Sequence, residues 1–265
     1  MLKTLDQSLK ILKMFTKEKP SWGARELATK LELPQANVYR MLETFEKNRF
    51  LRKDQKTKQY ALGVAAWELG IIVYDQLNLA DLLRPTYQKL LDKTGESVFL
   101  TALDGNEGVT MDAVEPENKV KFSVSIGSRA PLYVGASYRS ILAFLPEQNI
   151  ENVLNGPLHS YTEITKNDKA LLLKDLEQTK SRGWSISYGE YTPDVIAIAA
   201  PVFYENSIVG SVTLSGPNYR MSEEAVASHL PFVLDAAKET MDIMTSYRLD
   251  LRNYFTIPKE HFSKR

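Results

Sequence analysis

Leu33-Pro34-Gln35-Ala36-Asn37-Val38-Tyr39-Arg40-Met41-Leu42 is the stretch on which the fold turns. Proline suits the first turn of a helix, where its missing N–H is not needed. A helix from Pro34 or Gln35 to about Asn48 would turn Val38, Met41 or Leu42, and Phe45 inward. That leaves Gln35, Asn37, Tyr39 and Arg40 on the outer face. Upstream, Ala24–Leu31 fits a shorter helix with Leu27, Ala28 and Leu31 as its apolar face. Gly23 stands at its start and Glu26 three residues on, the spacing of a capping box with a weak cap. Further upstream, Leu5, Leu9, Leu12 and Phe15 recur at helical spacing, so residues 4–16 read as an amphipathic helix. Lys17-Glu18-Lys19-Pro20 ends it, because proline disfavours helix in the residue before it.

Two short helices joined by a tight turn, the second opening with polar and basic side chains, form a helix-turn-helix. Asn and Gln suit the adenine edge, and Arg suits guanine. Downstream, Phe50-Leu51-Arg52-Lys53 and Lys58-Gln59-Tyr60-Ala61-Leu62 read as two strands around Asp54-Gln55-Lys56-Thr57. This basic hairpin, a wing, would bring Arg52, Lys53, Lys56 and Lys58 near phosphate.

Charge supports that division. The 265-residue chain is neutral, with 33 basic and 33 acidic residues. Residues 1–62 carry 14 Lys/Arg against 7 Asp/Glu, and the remainder carries 19 against 26. A basic head on an acidic body is the layout expected when one domain meets phosphate and the other does not. The chain has no cysteine, which excludes disulfides, thiolate metal sites and a cysteine nucleophile. No apolar run approaches the ~20 residues of a membrane span, and the first residues lack the apolar stretch of a secretory leader. The expectation is a soluble, cytoplasmic protein without a membrane partner.

Val64–Asn78 is mostly apolar and free of proline, so it reads as a linker helix too hydrophobic to stand alone in water. Beyond it, residues 79–250 alternate helix and strand signals. Leu82–Leu91 gives a helix stopped near Gly95. Ser97–Leu103 and Gly108–Val114 read as strands around Asp104-Gly105-Asn106. Val120, Phe122, Val124 and Ile126 alternate with polar residues, the clearest period of two in the chain. Ser137–Leu145, Pro146–Leu154 and Asn167–Ser181 read as helices. Val195–Tyr204 and Ile208–Ser215 read as strands around a short hairpin loop. Ser222–Arg248 closes as a helix that Pro231 should kink or break near Leu230. The expected fold class is α+β: a winged helix-turn-helix (1–63), a linker helix (64–78), an antiparallel sheet with helices on its faces (79–250) and a tail (251–265).

Leu33–Leu42 resembles the recognition-helix segment of the IclR family of bacterial transcription regulators. Leu5–Leu12 resembles that family's opening helix, and Tyr60-Ala61-Leu62-Gly63 the strand closing its wing. The resemblance continues through Gly127–Tyr133, Ser140–Leu145, Arg182-Gly183-Trp184-Ser185, Gly189-Glu190, Ala197–Phe203 and Leu214-Ser215-Gly216-Pro217. It implies a GAF-like second domain that binds a small effector, with no cofactor. It also implies that the linker helix packs in a homodimer, or a tetramer built from it. The DNA-facing set would be Gln35, Ala36, Asn37, Tyr39, Arg40, Arg52, Lys53, Lys56 and Lys58. The effector cavity would be lined by Phe122, Ala130, Ala136, Ser137, Ser187, Val195, Ala197, Thr213 and Ser215, and a small organic acid or an aromatic compound would suit it. Two departures stand out. Ala36-Asn37 replaces the usual Ser-Thr, which changes the base edges that can be read. Tyr138-Arg139 replaces the usual Gly-Lys, and a tyrosine, far larger than glycine, is expected to narrow or reshape the cavity mouth while Arg139 keeps a cation.

The chain reads as a ligand-responsive regulator binding double-stranded DNA at an inverted repeat. The alternative is a metabolite sensor acting through protein contacts, with the winged helix as a docking module. A catalytic reading finds little support. His159, His229 and His261 lie far apart with no metal-binding spacing, and no nucleophile elbow or P-loop occurs. Glu115 and Glu117 flank Pro116 in a loop where carboxylates are solvated.

Overall fold

The computed structural model describes residues 2–16, 19–77, 79–117 and 121–254. The chain divides into two units, Met1–Asn78 and Leu79–Arg265. Lys17, Glu18 and Val120, which figured in the sequence expectations, lie outside the described residues, as does 255–265 of the expected tail.

The first unit runs α1 (Lys3–Leu12), β1 (Ser21–Trp22), α2 (Ala24–Lys30), α3 (Gln35–Lys47), β2 (Leu51–Lys53), β3 (Tyr60–Leu62) and α4 (Val64–Leu77). Its small antiparallel sheet has the order β1-β3-β2. β1 was not anticipated. Two residues give no periodicity, yet Trp22 is buried and its indole N–H donates to the Met14 carbonyl at 2.7 Å. Pro34 caps α3, its carbonyl accepting from the N–H groups of Asn37 and Val38 at 3.0 and 3.2 Å. Ile11, Leu27, Val38, Leu42, Leu51 and Tyr60 form the heart of the core. α1 departs from expectation. Ile11 is its fully buried residue, while Leu5 and Leu9 are 55% and 50% exposed. Of the expected face, Phe15 is buried and Leu12 packs against the core beside Ile11, while its N-terminal half, Leu5 and Leu9, turns outward.

The second unit runs α5 (Leu79–Thr94), β4 (Ser97–Asp104), β5 (Glu107–Val114), β6 (Arg129–Pro131), α6 (Gly135–Leu142), α7 (Glu147–Leu154), α8 (Lys169–Arg182), β7 (Ser185–Tyr188), β8 (Val195–Tyr204), β9 (Ser207–Pro217), α9 (Glu223–Tyr247) and a 3-10 turn (Leu251–Tyr254). The strands form one antiparallel sheet in the order β6-β5-β4-β9-β8-β7. α6 packs on β7, β8 and β9, and α5 and α9 pack on each other and on the sheet.

Local chemistry sets the ends. Asp168 accepts from the Leu171 N–H at 2.9 Å at the start of α8, and Ser222 accepts from Ala225 at the start of α9. Gly183 ends α8 at φ +81°, a left-handed stop. The β8–β9 turn places Glu205 and Asn206 at φ +47° and +64°. Left-handed values at both central residues suit the twist of a two-residue hairpin.

Three sequence expectations change here. Residues 121–125 belong to no strand; the strand beside β5 is β6. Phe122 and Val124 still alternate inward, so the period of two marks an extended segment lying over the sheet rather than a rung of it. Pro231 sits within α9 without ending it. Buried Val226 and Val233 hold the helix to its neighbours on either side of the proline. Leu251, expected to begin a tail, is fully buried, and a Cβ added at Gly210 would lie 3.3 Å from its Cδ1.

Candidate DNA interface and effector cleft

α3 presents its polar edge outward. Gln35, Ala36, Asn37, Tyr39 and Arg40 are exposed, while Val38, Met41 and Leu42 are buried beneath them. Arg52, Lys56 and Lys58 are exposed on the wing, whereas Lys53 is half-buried with its ammonium 5.1 Å from the Tyr60 ring centre. The wing tip is fastened by Asp54. Its Oδ1 accepts from the N–H groups of Lys56 and Thr57, each at 2.8 Å, and these bonds hold its carboxyl below the usual carboxylate range. The loop that carries Lys56 and Lys58 is therefore shaped by a side chain rather than left loose.

The second site is a cleft between the sheet and α6, with a cavity volume of about 40 Å³. Antiparallel register builds its floor in rows. Ser97, Ser215, Ala197 and Ser187 lie across β4, β9, β8 and β7, and Phe99, Thr213, Ala199 and Ser185 form the next row. Side chains alternate along each strand, so these rows share one face while Val212 and Leu214 point to the other. Phe122 crosses over Phe99 edge to face at 5.6 Å, and its carbonyl accepts from the Ser97 hydroxyl at 2.7 Å.

The first turn of α6 closes the cleft. Ser187 Oγ accepts the Ala136 N–H at 3.0 Å, and Ser137 Oγ accepts from Thr213 Oγ1 at 2.9 Å. Each serine hydroxyl thus has its acceptor side engaged by the protein and its own hydrogen left to donate. A helix start adds partial positive charge. Hydroxyl donors among apolar walls suit a small ligand that carries acceptors.

Of the nominated effector residues, Phe122, Ala136, Ser137, Ser187, Val195, Ala197 and Ser215 line this cleft. Ala130 lies instead in the apolar cluster beneath α6, α7 and α8, and Thr213 is fully buried behind Ser137. Phe99, Thr101, Thr110, Tyr138, Glu190, Tyr191 and Thr192 line it without having been nominated. Phe99 and Thr101 were within reach of the sequence, since they alternate with Ser97 on one strand. Tyr191 and Thr192 follow the Gly189-Glu190 match but carry no signal of their own.

Below the cleft lies a buried ion cluster. Arg139 has no solvent exposure. Its two terminal nitrogens meet the Glu190 carboxylate at 2.5 and 2.7 Å, and Nε lies 2.6 Å from Asp175 Oδ2. It also donates to the Ile186 carbonyl at 3.1 Å. Lys166 stands 3.1 Å from Asp175. Arg139 is therefore not a cation offered to the cleft. It ties α6 to α8 and to the loop after β7. Thr162 and Thr165 fasten the same loop, donating to the Gly189 and Glu190 carbonyls at 2.8 and 2.7 Å.

Among the described residues, no group of three or more His, Asp or Glu side chains could hold a metal ion. No described helix is long and apolar enough to cross a membrane.

A winged helix-turn-helix followed by a sensor-like sheet domain with a cleft under one helix is the architecture of a one-component transcription regulator. Residues 4–55 match the IclR helix-turn-helix domain, and residues 72–241 match the C-terminal domain of bacterial IclR transcriptional regulators. The chain is 32% identical to the HTH-type transcriptional regulator KipR of Bacillus subtilis, over 89% of its own length and 93% of that protein. It is 28% identical to the transcriptional repressor IclR of Escherichia coli, over 90% and 88%. An IclR regulator from Alicyclobacillus acidocaldarius superposes with a TM-score of 0.82 at 22% identity, covering 92% of this chain and 99% of that one. An IclR homologue from Microbacterium hydrocarbonoxydans, solved with 4-hydroxybenzoate, gives 0.77 at 20% identity over 94% and 99%. The chain belongs to the IclR family of bacterial transcription regulators, with a DNA-binding helix-turn-helix domain and a C-terminal effector-binding domain.

Proposed function

We propose that residues 1–63 bind an inverted-repeat operator as part of a homodimer or a dimer of dimers, and that a small organic acid or an aromatic compound in the 79–250 domain controls that binding. The carrying observation is the exposed polar edge of α3, with Gln35, Asn37 and Arg40 in its first two turns and cations on the wing behind it. In this reading Arg40 contacts guanine, Asn37 and Gln35 contact adenine, and Arg52, Lys56 and Lys58 neutralise phosphate. One such helix reads too few bases for a specific site, which is why two heads are required.

Exposed apolar side chains support self-association. Leu2 at the start of α1 is 75% exposed, Leu5 and Leu9 on α1 are 55% and 50% exposed, and Trp67, Leu69 and Ile72 on α4 are 64%, 52% and 52% exposed. Large apolar side chains left exposed on two helices favour an interface. The 64–78 linker helix would then serve both as connector and as dimer contact.

In the cleft, the donors at the start of α6 would hold the ligand's acceptor group while Phe99 and Phe122 meet its apolar part. The ligand shifts the DNA-binding equilibrium only by its differential affinity for two arrangements of the dimer. The protein would work in the cytoplasm, without turnover of the ligand. Selection of duplexes from a random library by the full chain tests the reading. Enrichment of a two-fold symmetric motif is expected. Recovery of unselected sequence at low salt would contradict it and would favour protein docking.

A further inference from the structure

Tyr138 is the largest side chain that α6 sends into the cleft, and it is only 6% exposed. Its ring packs against Gly108 of β5, where any Cβ would overlap Cδ1 and Cε1, and beside Thr101 of β4. The absence of a side chain at Gly108 is what makes room for the ring. Burial pushes the Tyr138 phenol well above its usual range, and its hydroxyl meets Thr110. On its other flank Tyr191 stands edge to face at 6.2 Å, with Tyr161 packed on Tyr191 at 5.2 Å. The ring is therefore held at both ends and on one side, and it occupies the β5 end of the cleft.

The chemistry of the remaining walls narrows the occupant. The carboxylate on the wall is that of Glu190, and Arg139 already binds both its oxygens. Donors for the ligand come from the Ser137 and Ser187 hydroxyls, and Ser137 adjoins Tyr138 in the chain. A ligand anchored there meets the ring at once.

We propose that Tyr138 is the specificity-determining residue of this cleft: its ring fills the space beside Gly108 that an aromatic ligand would need, so the natural ligand is a compact, non-aromatic molecule carrying a carboxylate or carbonyl acceptor. The proposal rests on the reading of the cleft as the effector site, and its test separates the two. 4-Hydroxybenzoate, held by one structural relative, and pyruvate serve as large and small probes. Binding to the full chain is read by calorimetry and by saturation-transfer NMR.

Tyr138→Ala should bind 4-hydroxybenzoate at least ~10-fold tighter than wild type, a gain of ~1.4 kcal/mol. Tyr138→Phe, which keeps the ring, should exclude it as wild type does, while both bind pyruvate. Equal affinity of wild type and Tyr138→Ala for 4-hydroxybenzoate, or no binding by either, overturns the proposal. Tyr138→Leu replaces Tyr138→Ala should the latter lose its cooperative melt. Should both ring-less variants unfold, wild type decides alone: saturable contact with 4-hydroxybenzoate overturns the proposal, and its absence upholds it. The effector reading is judged separately, on the operator affinity of the ligand-loaded variant. Tighter 4-hydroxybenzoate binding with unchanged DNA affinity keeps the size selection and removes the effector role.

Discussion

Replacing Arg139 by Met is the most informative perturbation of the second domain. The guanidinium is fully buried and faces two carboxylates, Glu190 and Asp175, which are themselves 3% and 9% exposed. Its contacts with them lie at 2.5 to 2.7 Å, and it also satisfies the Ile186 carbonyl. Methionine matches much of the volume but leaves two buried carboxylates with Lys166, at 3.1 and 3.7 Å, and Arg182, near Asp175, as the nearby cations. Removing one partner of a buried pair costs about 3–5 kcal/mol. For a domain of this size that corresponds to a fall in Tm of roughly 6–20 °C. Arg139→Lys keeps the charge but loses the two-pronged contact with Glu190, so it should fall between the two. Converting Glu190 to Gln and Asp175 to Asn in the Met background should restore part of the loss, because no buried charge is then left unpaired. Urea unfolding of the full chain followed by circular dichroism measures this. A Met variant within 1 kcal/mol of wild type would refute the reasoning, since the carboxylates would then be reaching water and the cluster would not lock the cleft's wall.

Other expectations follow from individual contacts. Arg40→Ala should cost about 1–3 kcal/mol at a single base position; equal weakening on every sequence would make Arg40 a phosphate contact instead. Lys56→Ala and Lys58→Ala should each lower the slope of log affinity against log salt by about 0.9 if each meets one phosphate, with little change in sequence preference. His229 is half-buried and its imidazole is held below the ordinary value by burial. The unfolded chain therefore binds the extra proton more readily, and stability falls as pH drops through about 6.5. His229→Gln should flatten that part of the pH–stability curve, and an unchanged curve would place the sensitivity elsewhere.

The first domain was largely legible because its signals are local. Pro34 and the spacing of Val38, Met41 and Leu42 fix α3 without reference to anything distant. What failed there depended on partners far along the chain. Leu5 and Ile11 carry the same helical period, and only the packing of α2 and α3 decides that Ile11 turns inward. β1 exists because Ser21 and Trp22 pair with Ala61 and Tyr60.

In the second domain, hairpins such as β8–β9 announced themselves through turn chemistry. Residues 121–125 mimicked a strand, because a segment that covers a cleft alternates its side chains as a strand does. β7 was missed because Ser185-Ile186-Ser187-Tyr188 is short and half polar. The cleft was partly visible through resemblance, but the role of Arg139 was not. A cation beside a cleft reads as a ligand contact until Glu190 and Asp175 are seen around it, and they lie 51 and 36 positions away in the chain.

The central claim is that this chain chooses a DNA sequence. Fluorescence anisotropy of the full-length protein, titrated onto the duplex upstream of its own coding region and onto a scrambled duplex at two salt concentrations, tests it most directly. The account predicts a preference of about 10³-fold or more for the specific duplex, with both affinities falling as salt rises. Absence of binding to either duplex at low salt would contradict it.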